Sequence, residues 1–415
     1  DCSQYTRKIV IATNIAEASV TINGIGVVID PGVSKQARYD PAKDATVLRI
    51  GSISQSSARQ RAGRAGRTAP GECYRLYSEH EYDQFTQDSP AELLRADATE
   101  AMLSVLRQLQ KQTEWIDDVR KFPFVEHPGK DRLERALHQL HHMGALESVD
   151  SSKLTDEGNE MACMQSGSPR ICTILFEARR QKILPFASIA VGMVPTDTPS
   201  LFRMGRTDAE KKDASKHRAT FAQRFPSLGD IGTGIAIYFD TRKLSFKELK
   251  QWCNEHSVKL RALKKCQNQV KSLFFDILKR DSIERAKADA ILCQVQENAF
   301  EDLDTVFKLQ KALMAGFFSS LAFKLPTKKG HEDRPPSYFL PHSGQIACPG
   351  KGVAYRDNGF FPDVVAYMEI TDTHRVFVSG LFGLKETELK NLLPATYVST
   401  KSFEQLLAEA KQRHI

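Results

Sequence analysis

The residues of this chain best equipped for chemistry are Gln60, Arg64 and Arg67, within the run Q-R-A-G-R-A-G-R from Gln60 to Arg67. Read as a helix, the run sets them at i, i+4 and i+7, along one face. That face would carry a carboxamide and two guanidiniums, while Gly63 and Gly66 strip bulk from the same turns. Arginine is permanently charged, and its planar fork of donors fits a phosphate. Two forks on one rigid face suit the charge that develops when a terminal phosphoryl group is transferred, where one such arginine is worth roughly 10³ to 10⁵ in rate. The plainer alternative is a solvated basic helix. Against it, a glycine costs about 1 kcal/mol relative to alanine inside a helix, so two in one short helix need a reason of packing or close approach.

The segments around this run would have to position it. Lys8 to Ile11 is a short β-branched run, and Val27 to Ile29 is another, ended by Asp30-Pro31-Gly32. Between them lies A-T-N-I-A-E-A-S-V-T-I, residues 12 to 22, helix-compatible at its centre and rich in hydroxyls. Strand, loop or helix, strand is the rhythm of a parallel α/β sheet, with ligands at the carboxyl ends of the strands. Lys35 to Asp40 and Ala45 to Ile50 alternate enough to form a hairpin around the turn Pro41 to Asp44, and Cys73 to Tyr77 reads as a last strand.

The character changes near Ser89-Pro90. Ala91 to Lys111 has the apolar spacing of a long amphipathic helix, through Leu93, Leu94, Ala98, Met102, Val105, Leu106 and Leu109. Asp131 to Met143 predicts a second helix, followed by a polar hairpin from Glu147 to Leu154, together suggesting a winged-helix module. Thr155 to Gly158 opens a mostly helical stretch to about Cys293, including a basic helix from Lys259 to Lys279. From Gly316 to Pro394 short β-type runs, Gly and Pro punctuation and aromatics predict a small antiparallel barrel, with a last helix from Phe403 to Arg413.

Bulk properties agree with several domains. A chain of 415 residues implies two to four. Its 41% hydrophobic and 26% charged content is that of a soluble globular protein, and 58 Lys+Arg against 51 Asp+Glu leaves a mild basic excess compatible with a polyanion partner. The eight cysteines are scattered singly, without C-x-x-C or zinc spacing, which suggests a reducing intracellular setting with the thiols acting as small buried hydrophobes. The longest apolar run, Ile183 to Val194, is broken by Pro185 and falls short of the roughly 18 residues of a membrane span. The chain opens without Met and runs at once into a β-type segment, so it is expected to begin inside a larger protein. His138, His141 and His142 crowd one helix; without carboxylate or cysteine partners, a half-buried helix face is the reading preferred over a metal site. Lys324, Lys328, Lys329, Lys351 and Arg356, interleaved with Phe323, Tyr338 and Tyr355, have the composition of a single-strand-binding surface, and Lys259, Arg261, Lys264, Lys265 and Lys271 could line the same strand's path; solvated faces are the alternative for both.

A-T-N-I-A-E-A-S-V-T-I and Q-R-A-G-R-A-G-R, about fifty residues apart, resemble motifs V and VI of the DEAH-box (DEAH/RHA) helicases. Further landmarks are V-V-I-D-P-G at 27–32, F-P-F at 122–124, L-T-D-E-G at 154–158 and Gly229-Asp230. The resemblance implies a multidomain fold of mixed α/β, α and β parts. These would be the end of a second RecA-like domain with a partial parallel sheet (1–88), a winged helix (89–158), a helical ratchet domain (159–300), an OB-like barrel (301–400) and a C-terminal helix (401–415). It implies that Gln60, Arg64 and Arg67 contact the ATP γ-phosphate, with Arg64 and Arg67 as paired catalytic fingers. Thr13 and Asn14, with Lys35 on the hairpin that resembles the family's strand-separating element, would hold RNA, and Glu17, Ser19 and Thr21 would couple nucleotide state to that grip. Thr13 and Asn14 are also residue types that favour a helix N-cap, and both roles are compatible.

The chain departs from the family pattern in carrying Ala18 where Thr is usual and Ile231 where His usually follows Gly-Asp. It also has no G-x-x-x-x-G-K-[ST] loop and no DEAH tetrapeptide, the elements that cradle phosphates and ligate Mg²⁺. The expectation is therefore the C-terminal part of an ATP-dependent RNA helicase or RNP remodeller, located in nucleus or cytoplasm and inactive without its other half. Its partners would be single-stranded RNA or a duplex with a single-stranded tail, and a protein activator on the OB-like domain; a membrane is not expected. The competing expectation is a non-catalytic RNA-binding scaffold of the same shape. The stretch Ser200 to Phe221 and Trp252-Cys253 resemble members fused to a RING-type ubiquitin ligase.

Overall fold

The computed structural model describes residues 7–18, 22–41, 45–67, 69–111, 118–164, 167–195, 200–203, 205, 207–326, 334–373, 375–398, 405 and 408. Backbone contacts divide the chain into two compact units. The first takes in Asp1–Tyr39 and Thr46–Ala96, the second Asp40–Ala45 and Asp97–Ile415.

The first unit contains β1 (Val27–Asp30), β4 (Glu72–Arg75) and all but the turn-side end residues of β2 (Val33–Asp40) and β3 (Ala45–Ser52). Its helices include Ile15–Ala18 and Gln55–Ala62. β1 and β4 run parallel, with Val27 opposite Glu72 and Asp30 opposite Arg75, so the expected parallel pairing is present. β2 and β3 form the expected hairpin, laced by Gln36 Nε2 donating to the Ser52 carbonyl at 2.9 Å. Lys8 to Ile11, by contrast, is no strand, and Ile9 and Ile11 are almost fully exposed. β-branched residues favour the extended state only where a neighbour completes the ladder, and none does among the described residues. Beyond β4, Tyr77, Tyr82 and Phe85 cluster, with ring centroids 5.1 Å apart for Tyr77 and Phe85. The Arg75 guanidinium lies 4.5 Å from the Tyr82 ring centre.

The sequence after Ser89 is less continuous than its apolar spacing predicts. A 3-10 turn at Glu92–Leu94 is followed by a separate helix at Thr99–Leu109. The break is made by Asp97, whose Oδ1 accepts from the Thr99 backbone N–H at 3.0 Å and its hydroxyl at 2.7 Å, starting the helix afresh. The second helix, Lys130–His142, buries Leu133, Ala136, Leu137 and Leu140. The predicted hairpin after it is reduced to one bridge, Leu146 to Leu154, with the Glu147 N–H donating to the Lys153 carbonyl. Thr155 then caps Asp156–Met161, and a run of helices follows, among them Gly229–Thr241 and Leu260–Leu278. The last of these buries Leu263, Cys266, Val270, Leu273 and Phe274 while Arg261, Lys264, Lys265 and Lys271 stay exposed, as its spacing predicts.

The C-terminal β structure comprises β5 (Leu321–Lys324), β6 (Tyr338–Leu340), β7 (Gln345–Pro349), β8 (Val364–Ala366), β9 (Glu369–Asp372), β10 (Val376–Ser379) and β11 (Phe382–Leu384). Its strand order is β11-β8-β5-β6-β7-β10-β9. Most neighbours are antiparallel, but β7 and β10 run parallel, which the barrel expectation lacked. The proposed stacking surface is also overturned: Phe323, Tyr338 and Tyr355 are at most 3% exposed and belong to the core. Short strands in a small β structure spend their large rings on the interior, leaving Lys324 to pair with Asp363 at 2.5 Å. Lys328 and Lys329 lie outside the described residues.

Gly229-Asp230 proves to be a latch between the helices and this β structure. The fully buried Asp230 carboxylate accepts from the backbone N–H groups of Ala354 at 2.6 Å and Leu381 at 2.7 Å. Burial pushes its pKa up to about 6, although the backbone donors oppose that shift. Gly229 sits at φ +52, and a Cβ there would lie 2.3 Å from the Leu381 carbonyl oxygen. Ile231, at the position where the DEAH-box pattern noted above usually has His, is fully buried, so that position serves packing.

Of the described cysteines, Cys172, Cys253 and Cys266 are buried as expected, whereas Cys163 and Cys293 are exposed. No helix among the described residues is long and apolar enough to cross a membrane. The His142 ring is half-buried against His138, His141, Phe318 and Tyr397, with centroids 5.4 to 6.4 Å away.

Two predictions follow from this packing. Gly229→Ala should destabilise the protein by at least about 2 kcal/mol in urea unfolding, from a forbidden backbone state plus a backbone clash. His142 gives a pH dependence. Burial first, then the neighbouring positive groups, lowers its pKa from 6.5 to about 4. The folded state therefore resists protonation that the unfolded chain accepts. The contribution is complete above about pH 6.5 and is lost as pH falls towards 4, by about 1 kcal/mol after discounting for partial exposure. Thermal midpoints of His142→Phe should lack that component.

Candidate functional site

The Gln60–Arg67 run is not one helix. The helix starts earlier, at Gln55, and ends at Ala62, with Gly63 as its C-cap; Arg64, Ala65 and Gly66 lie in turns and Arg67 in a bend. Backbone bonds from Arg64 N–H to Arg61 O at 3.1 Å and Ala65 N–H to Ala62 O at 3.1 Å tighten the chain past the cap. The glycine at 63 and another three residues later remove the propensity to continue, so the helix stops. Gln60 therefore stands on the last helical turn, and Arg64 and Arg67 on the loop that leaves it. The i, i+4, i+7 face is replaced by a helix end plus a turn.

The helix start is fixed from outside the run. Ser54 caps it, accepting from the Ser57 N–H at 3.1 Å. The Gln55 and Ser56 N–H groups donate to the carbonyls of Thr86 and Gln87 at 2.8 and 3.0 Å. These contacts satisfy donors that a helix N-terminus leaves unpaired. Ala58 and Ala65 are buried and hold the helix and turn down. Gln60 and Arg67 are exposed, and Arg64 is partly buried, with an Nε that is shielded from solvent and has no hydrogen-bond partner among the described residues. A buried guanidinium nitrogen without an acceptor is costly in a folded protein, and so calls for one.

The two glycines of the turn region differ from a third just beyond it. A Cβ at Gly66 would meet nothing within 4 Å, whereas at Gly71 it would fall 2.4 Å from the Ala65 carbonyl oxygen and 2.7 Å from that of Gly26. Gly71 is thus needed by the fold, because the Arg64–Gly66 turn packs on its backbone at the entry to β4.

Thr13 and Asn14 start the Ile15–Ala18 helix. Their carbonyls accept from the Ala16 and Glu17 N–H groups at 3.1 and 3.0 Å, and both side chains are exposed. Lys35 is exposed on β2. Ala18 is exposed, and Ser19 and Thr21 lie outside the described residues.

The residue that sequence reasoning passed over is Arg61. Its side chain is 13% exposed and reaches two carboxylates at once: Nε donates to Glu17 Oε2 at 3.0 Å and Nη1 to Asp30 Oδ1 at 2.8 Å. Nη1 also reaches the Val33 carbonyl at 3.2 Å. Burial works against the guanidinium charge, but hydrogen bonds to Asp30 and Glu17 outweigh it and raise its pKa. Asp30 is itself fully enclosed, receiving the Gly32 N–H at 3.0 Å and the Tyr77 hydroxyl at 3.1 Å. Burial, then the Asp30 charge, pushes Tyr77 up to about 12, so its hydroxyl remains a donor at neutral pH. In the sequence Arg61 looks like one more basic residue of an arginine-rich run. The hint available was a pair of acids, Glu17 in the hydroxyl-rich segment and Asp30 at the end of a β-branched run.

A parallel α/β unit with this Thr-Asn helix start, hairpin and arginine turn, in a chain that continues into helices and a β structure, is consistent with the C-terminal region of a DEAH-box helicase. The chain is 32% identical to the ATP-dependent RNA helicase DEAH12, chloroplastic, of Arabidopsis thaliana over 269 residues, and 33% identical to DEAH11, chloroplastic, of the same plant over 269 residues. Each match covers 64% of this chain and 14% of the relative, so the matched part spans about one seventh of those proteins. Its curated homologues are thus DEAH-box ATP-dependent RNA helicases. No protein-family model matches the chain.

The glycines give a direct check on the turn. Gly71→Ala should cost about 1–3 kcal/mol in urea unfolding by forcing the backbones of Ala65 and Gly26 apart, while Gly66→Ala should stay within about 0.5 kcal/mol of the parent.

Proposed function

We propose that this chain is the C-terminal part of an ATP-dependent RNA helicase or RNP remodeller that couples ATP hydrolysis to movement along single-stranded RNA. The observation that carries the reading is the Arg64 guanidinium, half-enclosed with its Nε unpaired, on a turn flanked by exposed Gln60 and Arg67. Side chains of this kind fit a polyphosphate. Gly66 adds to the fit, because a Cβ there would meet no atom of the other described residues within 4 Å, so a bulky anion can approach the backbone. In this reading Gln60 orients the terminal phosphate and Arg64 and Arg67 supply positive charge as that group is transferred. Mg²⁺, which would neutralise phosphate charge, would take its ligands from elements that this sequence lacks, and the chain alone would be inactive. Its homologues' names, which specify ATP dependence and RNA, support the same substrate pair.

Thr13 and Asn14, exposed at a helix start, and Lys35, on the hairpin, are the proposed RNA contacts, with Glu17, Ser19 and Thr21 linking them to the nucleotide. Such contacts with phosphates would give an affinity that falls with salt and shows little base preference. The division into a RecA-like end, winged helix, ratchet and OB-like barrel is proposed on the same footing, as is binding of a duplex with a single-stranded tail and of a protein activator on the barrel. Exposed Ile29 and Tyr74, paired in register on β1 and β4, fit a sheet that continues past these strands.

The test uses the full-length protein. Arg64→Ala should lower RNA-stimulated ATP turnover by about 10³-fold or more while RNA still binds. Turnover that survives the change would overturn the assignment, and RNA binding without turnover in the parent protein would favour a scaffold.

A further inference from the structure

We infer that Arg61 is a positioning residue that ties the proposed RNA-holding turn to the proposed nucleotide-facing turn, as a strut between two moving parts. The inference rests on the reading of Thr13, Asn14, Gln60, Arg64 and Arg67 given above. Arg61 stands on the last turn of the Gln55–Ala62 helix, one residue after Gln60 and three before Arg64. Any displacement of that helix end moves its guanidinium. The guanidinium donates through Nε to Glu17, on the helix whose first backbone N–H groups donate to the carbonyls of Thr13 and Asn14. A four-residue helix has too few bonds of its own to resist such a pull.

The other end of the strut is fixed. Asp30 closes β1, is fully buried, and is held on both oxygens, by the Gly32 N–H and Arg61 Nη1 on one and by the Tyr77 hydroxyl on the other. Arg61 therefore pivots on Asp30 and swings Glu17. Only arginine can do this, since its rigid fork presents separate donors to two carboxylates, whereas lysine offers one compact ammonium. The shielding of all three side chains, at 13%, 14% and 0% exposure, keeps the ion pairs from dissolving into solvent while the parts move.

The experiment measures the affinity of full-length protein for a fluorescent oligouridylate, with and without a non-hydrolysable ATP analogue, in the parent, Arg61→Lys and Glu17→Gln. The parent is expected to change its RNA affinity about 10-fold or more with nucleotide, within the usual 5- to 150-fold span of coupling between sites. Both variants should bring that ratio below about 2-fold. A merely structural role would lower the thermal midpoint and leave the ratio alone, so both are recorded. If Arg61→Lys fails to fold, Glu17→Gln, which keeps its shape and an acceptor oxygen, decides the matter. Parent-like ratios in the folded variants would overturn the strut and the coupling role of Glu17, and leave the assignment of Thr13, Asn14, Gln60, Arg64 and Arg67 intact. A parent ratio of one would overturn the site reading and the strut together.

Discussion

The first unit depends on one buried charge arrangement, the Arg61 guanidinium shared between Glu17 and Asp30. Each carboxylate belongs to a different element, and the arginine to a third. Ion pairs of this depth gain little over an apolar substitute, but removing one partner strands an uncompensated charge at a cost of about 3–5 kcal/mol. The arrangement therefore acts less as a source of stability than as a specification: the elements have one relative placement in which all three charges are satisfied. The Asp30 interactions with Gly32 and Tyr77 extend it to the turn after β1 and the segment after β4.

The second unit solves the corresponding problem with a carboxylate and no arginine. Asp230 opens a helix, where the positive end of the helix dipole and unpaired N–H groups favour an anion, and it reaches across to two backbone N–H groups of the β structure. The adjoining Gly229 lets the backbones close up until a single methyl would collide with the Leu381 carbonyl. In both units a buried acid joins elements distant in sequence. In the first it is balanced by a guanidinium side chain, in the second by backbone N–H groups. That difference makes the Arg61 arrangement the better candidate for transmitting motion, and the Asp230 latch the better candidate for resisting it.

Much of the local structure was legible from pattern. The Lys130–His142 and Leu260–Leu278 helices follow their apolar spacing to within a residue of the expected bounds, and β1, β4 and the β2–β3 hairpin lie where β-branched runs and turn residues put them. Failures came where a single side chain overrides periodicity. Asp97 restarts a helix that the apolar spacing joins, and Gly63 ends one that the arginine spacing prolongs. The basic and aromatic interleaving of the C-terminal β segment misled for another reason: composition does not reveal which face a ring occupies, and Phe323, Tyr338 and Tyr355 all turn inward.

By itself the amino-acid sequence determined which chemistry was present: the Gln and Arg side chains of one run, the Thr-Asn pair fifty residues before it, and the resemblance that the Arabidopsis helicases bear out. These are matters of residue type and short spacing, which survive without knowledge of the fold. Tertiary structure alone decided what each charge does. Arg61, Arg64 and Arg67 are equivalent as letters, yet the first is spent inside on two acids, the second retains an unpaired buried nitrogen and the third is exposed. The reason is physical: a guanidinium's role is set by which acceptors lie within about 3 Å and by how much water is excluded, and both depend on segments far apart in the chain.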